Sequence, residues 1–176
     1  NDLPPPSTNL HNREHHVIIN PKDHDYRNIY KLLIGSVVPR PIAFISSLSG
    51  SGVLNLAPFS FFTAACSNPP TVLFSTVIRR DGTHKDTFAN VEATKEVVLN
   101  VVSEEIAEQM NICSADFPPE VDEFVVSGLT PVKSDLVAPP RVKESPISME
   151  CRLTQTVRIG EGPGGGCVVF GEVLRF

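Results

Sequence analysis

The segment RRDGTHKDTFAN, residues 79–90, places Arg79, Arg80 and Lys85 within seven positions and interleaves them with Thr83 and Thr87. Guanidinium and ammonium groups beside hydroxyls are a donor set for an oxyanion, above all a phosphate. Several charge-assisted hydrogen bonds must replace the water stripped from such a dianion. Arg79 and Arg80 offer forked donors and Lys85 a point charge. A helix starting at Asp86 or Thr87 would add free N–H groups and the positive end of its dipole. Asp86 fits beside an anion only by capping that helix or pairing with a cation. Adjacent residues of an extended chain face opposite ways, so one arginine is expected to bind, and Arg79 is the choice. Taken alone, the segment also reads as a solvated turn with scattered charges.

A second segment, NLAPFSFF (55–62), is unusual for a strand. Pro58 has no N–H for a ladder bond and marks an edge or a bulge. A free strand edge presents backbone donors and acceptors beside apolar side chains, which suits a flat heteroaromatic ring whose rim reaches Asn55 or Ser60. The same residues also fit a core with an edge proline. A third segment, PRPIAFISS (39–47), ends an apolar strand on Ser46 and Ser47. These hydroxyls can meet a ligand or simply begin a turn.

Two other patterns carry less. Gly160–Gly165 matches GxGxxG, but a β-branched run follows where a dinucleotide site needs a helix. Pro163 also removes an N–H, so a hairpin turn is expected. His11, His15 and His16 lie in a polar, proline-rich stretch that holds no metal geometry without further ligands.

The elements that must position these residues read as strands with tight turns. A helix is expected over 23–36, with Tyr26, Ile29, Tyr30 and Leu33 on one face and Gly35 to stop it. PRPIAFISSLSGSGVLNLAPFSFFTAAC reads as two strands joined at 49–52. TVLFSTVI (71–78) reads as a central buried strand. A short helix follows near 86–95, then a strand at 97–102. A helix over 103–113 would be capped by Ser103, with Ile106 and Met110 buried. Residues 114–146 read as irregular, with acidic Glu120, Asp122 and Glu123. Strands follow at 146–159 and from Cys167. This order favours an antiparallel barrel or sandwich, mainly β with short helices.

The net charge of −5 argues against nucleic acid or an anionic membrane as main partner. No run reaches the ~18 apolar residues of a membrane span. Sixteen prolines are about twice the usual share of ~5% and fit short strands and many loops. Cys66, Cys113, Cys151 and Cys167 form no CxxC pair. Cys66, Cys151 and Cys167 read as small core residues in a reducing compartment, hence a cytoplasmic protein. Residues 1–16 are expected to form a flexible arm before a single domain over 17–176. The sequence reaches Phe176 inside an apolar run, VVFGEVLRF, so further strands are expected.

PRPIAFISS, NLAPFSFFTAACSNPP and FSTVIRRDGTHKDTFAN, in this order, resemble the flavin reductase-like family with its Greek-key FMN-binding split barrel. The likeness is to its flavoredoxin and nitrilotriacetate monooxygenase component B branch. The weaker segments VDEFVVSGLTP and ESPISMECRL extend it over roughly 17–176. The resemblance implies an FMN site. Arg79, Lys85 and Thr87 would hold the phosphate, positioned by Asp86. Asn55, Ala57, Pro58, Ser60, Phe61 and Phe62 would flank the isoalloxazine, and Ser46 would reach it from the neighbouring strand. It also implies a homodimer and an NAD(P)H-dependent reductase, with NADH or NADPH as co-substrate and a monooxygenase as partner. His84 is a candidate contact for the nicotinamide nucleotide. No residue need act as acid or base, because the flavin carries the chemistry. A non-catalytic FMN carrier and a flavin-free binding domain of the same fold are the competing readings.

Overall fold

A computed structural model describes residues 17–176. It divides into two compact units, one ending at Val37 and the other running Val38–Phe176. The arm expected over 1–16, with its three histidines, lies outside the described residues.

In the first unit, helix α1 is Tyr26–Ser36, and Asp25 caps it by accepting from the Arg27 N–H at 2.9 Å. Gly35 lies inside the helix rather than ending it. No side chain of α1 is buried.

The second unit is built on seven strands: β1 (Ala43–Leu48), β2 (Leu54–Phe59), β3 (Phe62–Ser67), β4 (Pro70–Val77), β5 (Glu96–Val101), β8 (Ser148–Ile159) and β9 (Gly166–Arg175). A separate two-stranded ribbon pairs β6 (Pro131–Val132) with β7 (Arg141–Val142). All pairings are antiparallel, in the order β2-β1-β5-β8-β9-β4-β3. Helices α2 (Asp86–Thr94), α3 (Ala107–Ile112) and α4 (Glu123–Ser127) complete it. The β1–β2 hairpin turns at 49–52, and the Gly160–Gly165 segment is the β8–β9 hairpin turn.

The order forces closure. β2 and β3 occupy opposite ends of the sheet, yet only Ser60 and Phe61 separate them. Seven strands laid flat span about 28 Å at ~4.7 Å per gap. The path from Phe59 to Phe62 reaches about 11 Å at most. The sheet must therefore curl until its edges approach, which is the split barrel. At this seam the Ser75 N–H donates to the Phe61 carbonyl at 2.8 Å, which continues the β3–β4 ladder into the bend.

Two cores lie on the two faces of β1, whose residues Ala43–Ser47 are all buried. Ala43 and Ile45 join Phe74, Phe88, Val91, Leu99 and Val169 in one; Phe44 joins Leu56, Ile106, Phe124 and Leu129 in the other. Alternation along one strand thus supplies both layers.

Four expectations are corrected. The strand expected to run through Cys66 breaks at Ser60–Phe61, and its halves become the two edge strands, β2 and β3. Cys66 is consequently exposed, whereas Cys113, Cys151 and Cys167 are buried. β4 is next to the edge and alternates buried with half-buried residues, so it is not a central strand buried on both faces. The 103–113 segment is a 3-10 turn, Glu104–Ile106, followed by α3, and the Ser103 side chain makes no capping bond. Residues 114–146, read as irregular, contain α4 and the ribbon.

Candidate functional site

A cleft opens between edge strand β2, the N-terminus of α2 and the loop joining α3 to α4. It brings together Asn55, Ala57, Pro58, Arg79, Lys85, Asp86 and Thr87 from the sequence reading. It adds Phe59, the segment Cys113–Phe117 and Glu123, which sequence reasoning does not assign to it.

The turn after β4 fixes the cations. The Arg79 N–H donates to the Thr83 carbonyl at 2.9 Å, and Gly82 takes φ +84, a region that favours glycine. Asp81 accepts from both the N–H and the hydroxyl of Thr83 (2.9 and 2.7 Å), so that hydroxyl is engaged within the turn. Arg80 faces solvent while Arg79 is half-buried. The Arg79 guanidinium meets Asp86 Oδ2 at 2.7 Å, donates to the His84 carbonyl and lies 3.5 Å from Asp116 Oδ1. Lys85 Nζ reaches Asp116 Oδ1 at 2.5 Å. Lys85 is also the N-cap of α2 and supplies no side-chain cap, so the leading N–H groups of the helix have no capping side chain. Asp86 pairs with a cation, one of its two expected roles.

Beneath the cleft runs a buried polar network. Asn55 Oδ1 accepts from Thr87 Oγ1 (2.7 Å) and Ser47 Oγ (3.0 Å), and Ser47 Oγ accepts from Asn90 Nδ2 (3.2 Å). Asn55 Nδ2 donates to Glu123 Oε1 and the Leu56 N–H to Glu123 Oε2, each at 3.0 Å. Leu56 sits on edge strand β2, so Glu123 satisfies a donor the sheet leaves unpaired. Burial pushes the Glu123 carboxyl above its ordinary value despite these bonds. In the opposite direction, the Lys85 hydrogen bond, aided by the charges of Lys85 and Arg79, holds the Asp116 carboxyl low.

The remaining candidates lie elsewhere. Ser46 is fully buried and donates to the Pro140 carbonyl. Ser60, Phe61 and Phe62 form the seam; Ser60 Oγ accepts from Arg40 Nε at 3.3 Å, and Phe62 opens β3 opposite Phe74. His84 packs its ring 5.0 Å from that of Phe88, with Nδ1 3.5 Å from Cys167 Sγ.

Glu123 has a sequence signal. Asp122 caps α4 by accepting from the Phe124 N–H at 2.9 Å, and Gly128 ends it at φ +75. An aspartate and a glycine framing EFVVS is a short-helix signature. Asp116 has no such signal.

The donor set fits a phosphorylated heteroaromatic ligand. Arg79, Lys85 and the start of α2 suit the phosphate, while Ala57, Pro58 and Phe59 offer an apolar edge to a ring. Comparisons with known proteins identify the family. The family model described as flavin reductase like domain matches residues 34–176. An uncharacterised protein of Aquifex aeolicus is 48% identical over 153 residues, 87% of this chain and 76% of that protein. Nitrilotriacetate monooxygenase component B from Bacillus cereus is 36% identical, with a TM-score of 0.87 over 92% of this chain and 81% of that one. A split-barrel-domain protein from Shewanella frigidimarina is 25% identical, with a TM-score of 0.75 over 88% and 74% of the two chains. A match over most of the chain, on a fold of the same architecture, makes this chain a member of the flavin reductase-like domain family.

Proposed function

We propose that the chain is an NAD(P)H-dependent reductase that binds FMN in this cleft and passes reduced flavin, or its electrons, to a partner oxygenase. The observation that carries the reading is the convergence of Arg79 and Lys85 on the start of α2, beside a proline-marked strand edge. Arg79 is already oriented by Asp86 and the His84 carbonyl, so little side-chain entropy remains to be lost on gripping a phosphate. Thr87, whose hydroxyl hydrogen is directed at Asn55, positions the floor of the site and is free to act toward a ligand only as an acceptor. Ala57, Pro58 and Phe59 exclude water from one side of a bound ring. FMN would supply the hydride acceptor itself, which is why no catalytic acid or base is required of the protein. The oxygenase partner is inferred from likeness to a monooxygenase component, and the homodimer and cytoplasmic location from the family resemblance and the free thiols.

The test is a visible spectrum of the protein with FMN and then NADH under nitrogen, repeated on the Arg79→Ala/Lys85→Ala double variant. Bonds to charged groups are worth about 1.5–3 kcal/mol each, so the variant should lose about 10²–10⁴-fold in FMN affinity. Riboflavin, which lacks the phosphate, should bind both proteins alike. A bound flavin band that NADH fails to bleach would favour the electron carrier. FMN that neither binds the wild type nor responds to it would refute the assignment.

A further inference from the structure

Asp116 lies on the loop between α3 and α4, with Cys113 buried on one side and Glu123 buried on the other. Its side chain is 68% exposed, yet its Oδ1 touches both cations of the cleft: Lys85 Nζ at 2.5 Å and Arg79 Nε at 3.5 Å. Lys85 has no other ion-pair partner among the described residues. Arg79 has a second, Asp86 at 2.7 Å, which also fixes its orientation.

The charge balance gives this contact a function. At the mouth of the cleft Arg79 and Lys85 face Asp86 and Asp116, two cations against two carboxylates, while both oxygens of Glu123 are engaged below by Asn55 and the Leu56 N–H. A cleft whose facing groups sum to zero has no excess charge to offer a dianion. Asp86 is the first residue of α2, and its side chain is 30% exposed against 68% for Asp116. Asp116 sits on an exposed loop tip, with Ser114 and Ala115 exposed beside it, so its departure disturbs no packed core. With Asp116 swung away, the mouth of the cleft keeps two cations against one carboxylate and the Lys85 ammonium is released.

We propose that Asp116 is an internal competitor for the phosphate position, a carboxylate that the ligand's phosphate must displace and that returns as the ligand leaves. It would thereby determine how readily flavin exchanges, favouring a flavin that comes and goes over one held permanently. This rests on the FMN reading of the cleft and adds to it the residue that tunes affinity for the phosphate.

The test compares FMN and riboflavin binding, by flavin fluorescence, in the wild type, Asp116→Asn and Asp116→Glu. An exposed ion pair is worth up to about fivefold in an equilibrium, and relief of repulsion on the dianion adds to it. Asp116→Asn is therefore expected to bind FMN about five- to tenfold more tightly, chiefly through slower release. Riboflavin affinity should be unchanged, Asp116→Glu should stay near wild type, and the gain should shrink as salt is raised. FMN binding that is equal in wild type and Asp116→Asn would overturn the role of Asp116 while leaving the flavin site standing. So would an equal gain for riboflavin. No FMN binding by either protein would overturn both readings.

Discussion

Replacing Glu123 by Gln tests the buried network with almost no change of volume. The carboxylate presents two acceptors to two donors, Asn55 Nδ2 and the Leu56 N–H, each at 3.0 Å. A glutamine amide presents one acceptor and one donor group. Whichever way it turns, an N–H faces an N–H and one buried donor loses its partner. A buried donor without a partner costs about 1–3 kcal/mol. Relief from burying a carboxylate offsets part of that, so we expect a net loss of ~1–2 kcal/mol at pH 7. For a chain of this size that lowers Tm by about 2–8 °C. The pH dependence carries a second signature. The folded-state pKa of Glu123 is raised by burial, so the native state holds its proton more tightly than the unfolded chain. Its contribution to stability is complete below the unfolded value and fades as pH rises through the folded one. The substituted glutamine does not titrate, so the wild type's advantage over the variant should widen as pH falls from 7 toward about 4.5. Pairing the change with Asn55→Asp restores a donor–acceptor match and should recover stability. Urea unfolding followed by circular dichroism measures all three. An Asn55→Asp/Glu123→Gln protein no more stable than Glu123→Gln alone would refute the assigned hydrogen-bond directions.

The cysteines should divide on thiol titration. Cys66 alone is exposed, while burial pushes the thiols of Cys113 to about 11 and Cys151 to about 12. A chromogenic disulfide at pH 8 should therefore count one fast thiol in the native protein and four in denaturant. More than one fast thiol would contradict the packing of both cores. Gly165→Ala should destabilise, because a Cβ there would stand 3.1 Å from the carbonyl oxygens of Gly160 and Gly162 and from Ile78 Cδ1. A loss of about 1–3 kcal/mol is expected, read as an earlier urea midpoint; an unchanged midpoint would show that the β8–β9 turn opens freely.

Much of this is legible because local chemistry and tertiary role agree. LSGSGV between two apolar runs reads as a hairpin turn and is one. Pro58 marks an edge strand, and β2 is one. Arg79 is separable from Arg80 by alternation, and Asp86 pairs with a cation, one of the two roles its sequence position allowed. The break at Ser60–Phe61 is not legible, because the residues around it remain apolar and nothing in their types distinguishes a bend from a continuing strand. Only the pairing of β3 with β4 decides it. Cys66 misleads for the same reason: an alternating apolar run does not disclose that its strand will be outermost. Glu123 passes as one of several surface acids because its partners, Asn55 and Leu56, lie more than sixty positions away. Ser46, Asn55 and Thr87 read as ligand-facing polar groups, yet all three are bonded within the protein.

The strand order has a consequence for synthesis. β8 and β9 leave the ribosome after the other five strands of the sheet but occupy its interior, between the β2-β1-β5 group and the β4-β3 pair. Every residue lining the cleft precedes them in the chain, so the cleft's components exist before the strands that set their spacing. Thr71 must wait for Glu172, about a hundred positions later, before β4 can pair on its second side. Closure of the sheet thus waits until β8 and β9 have been made, as high contact order implies. A chain stopped before β8 would lose the middle of its barrel and keep two unconnected edges.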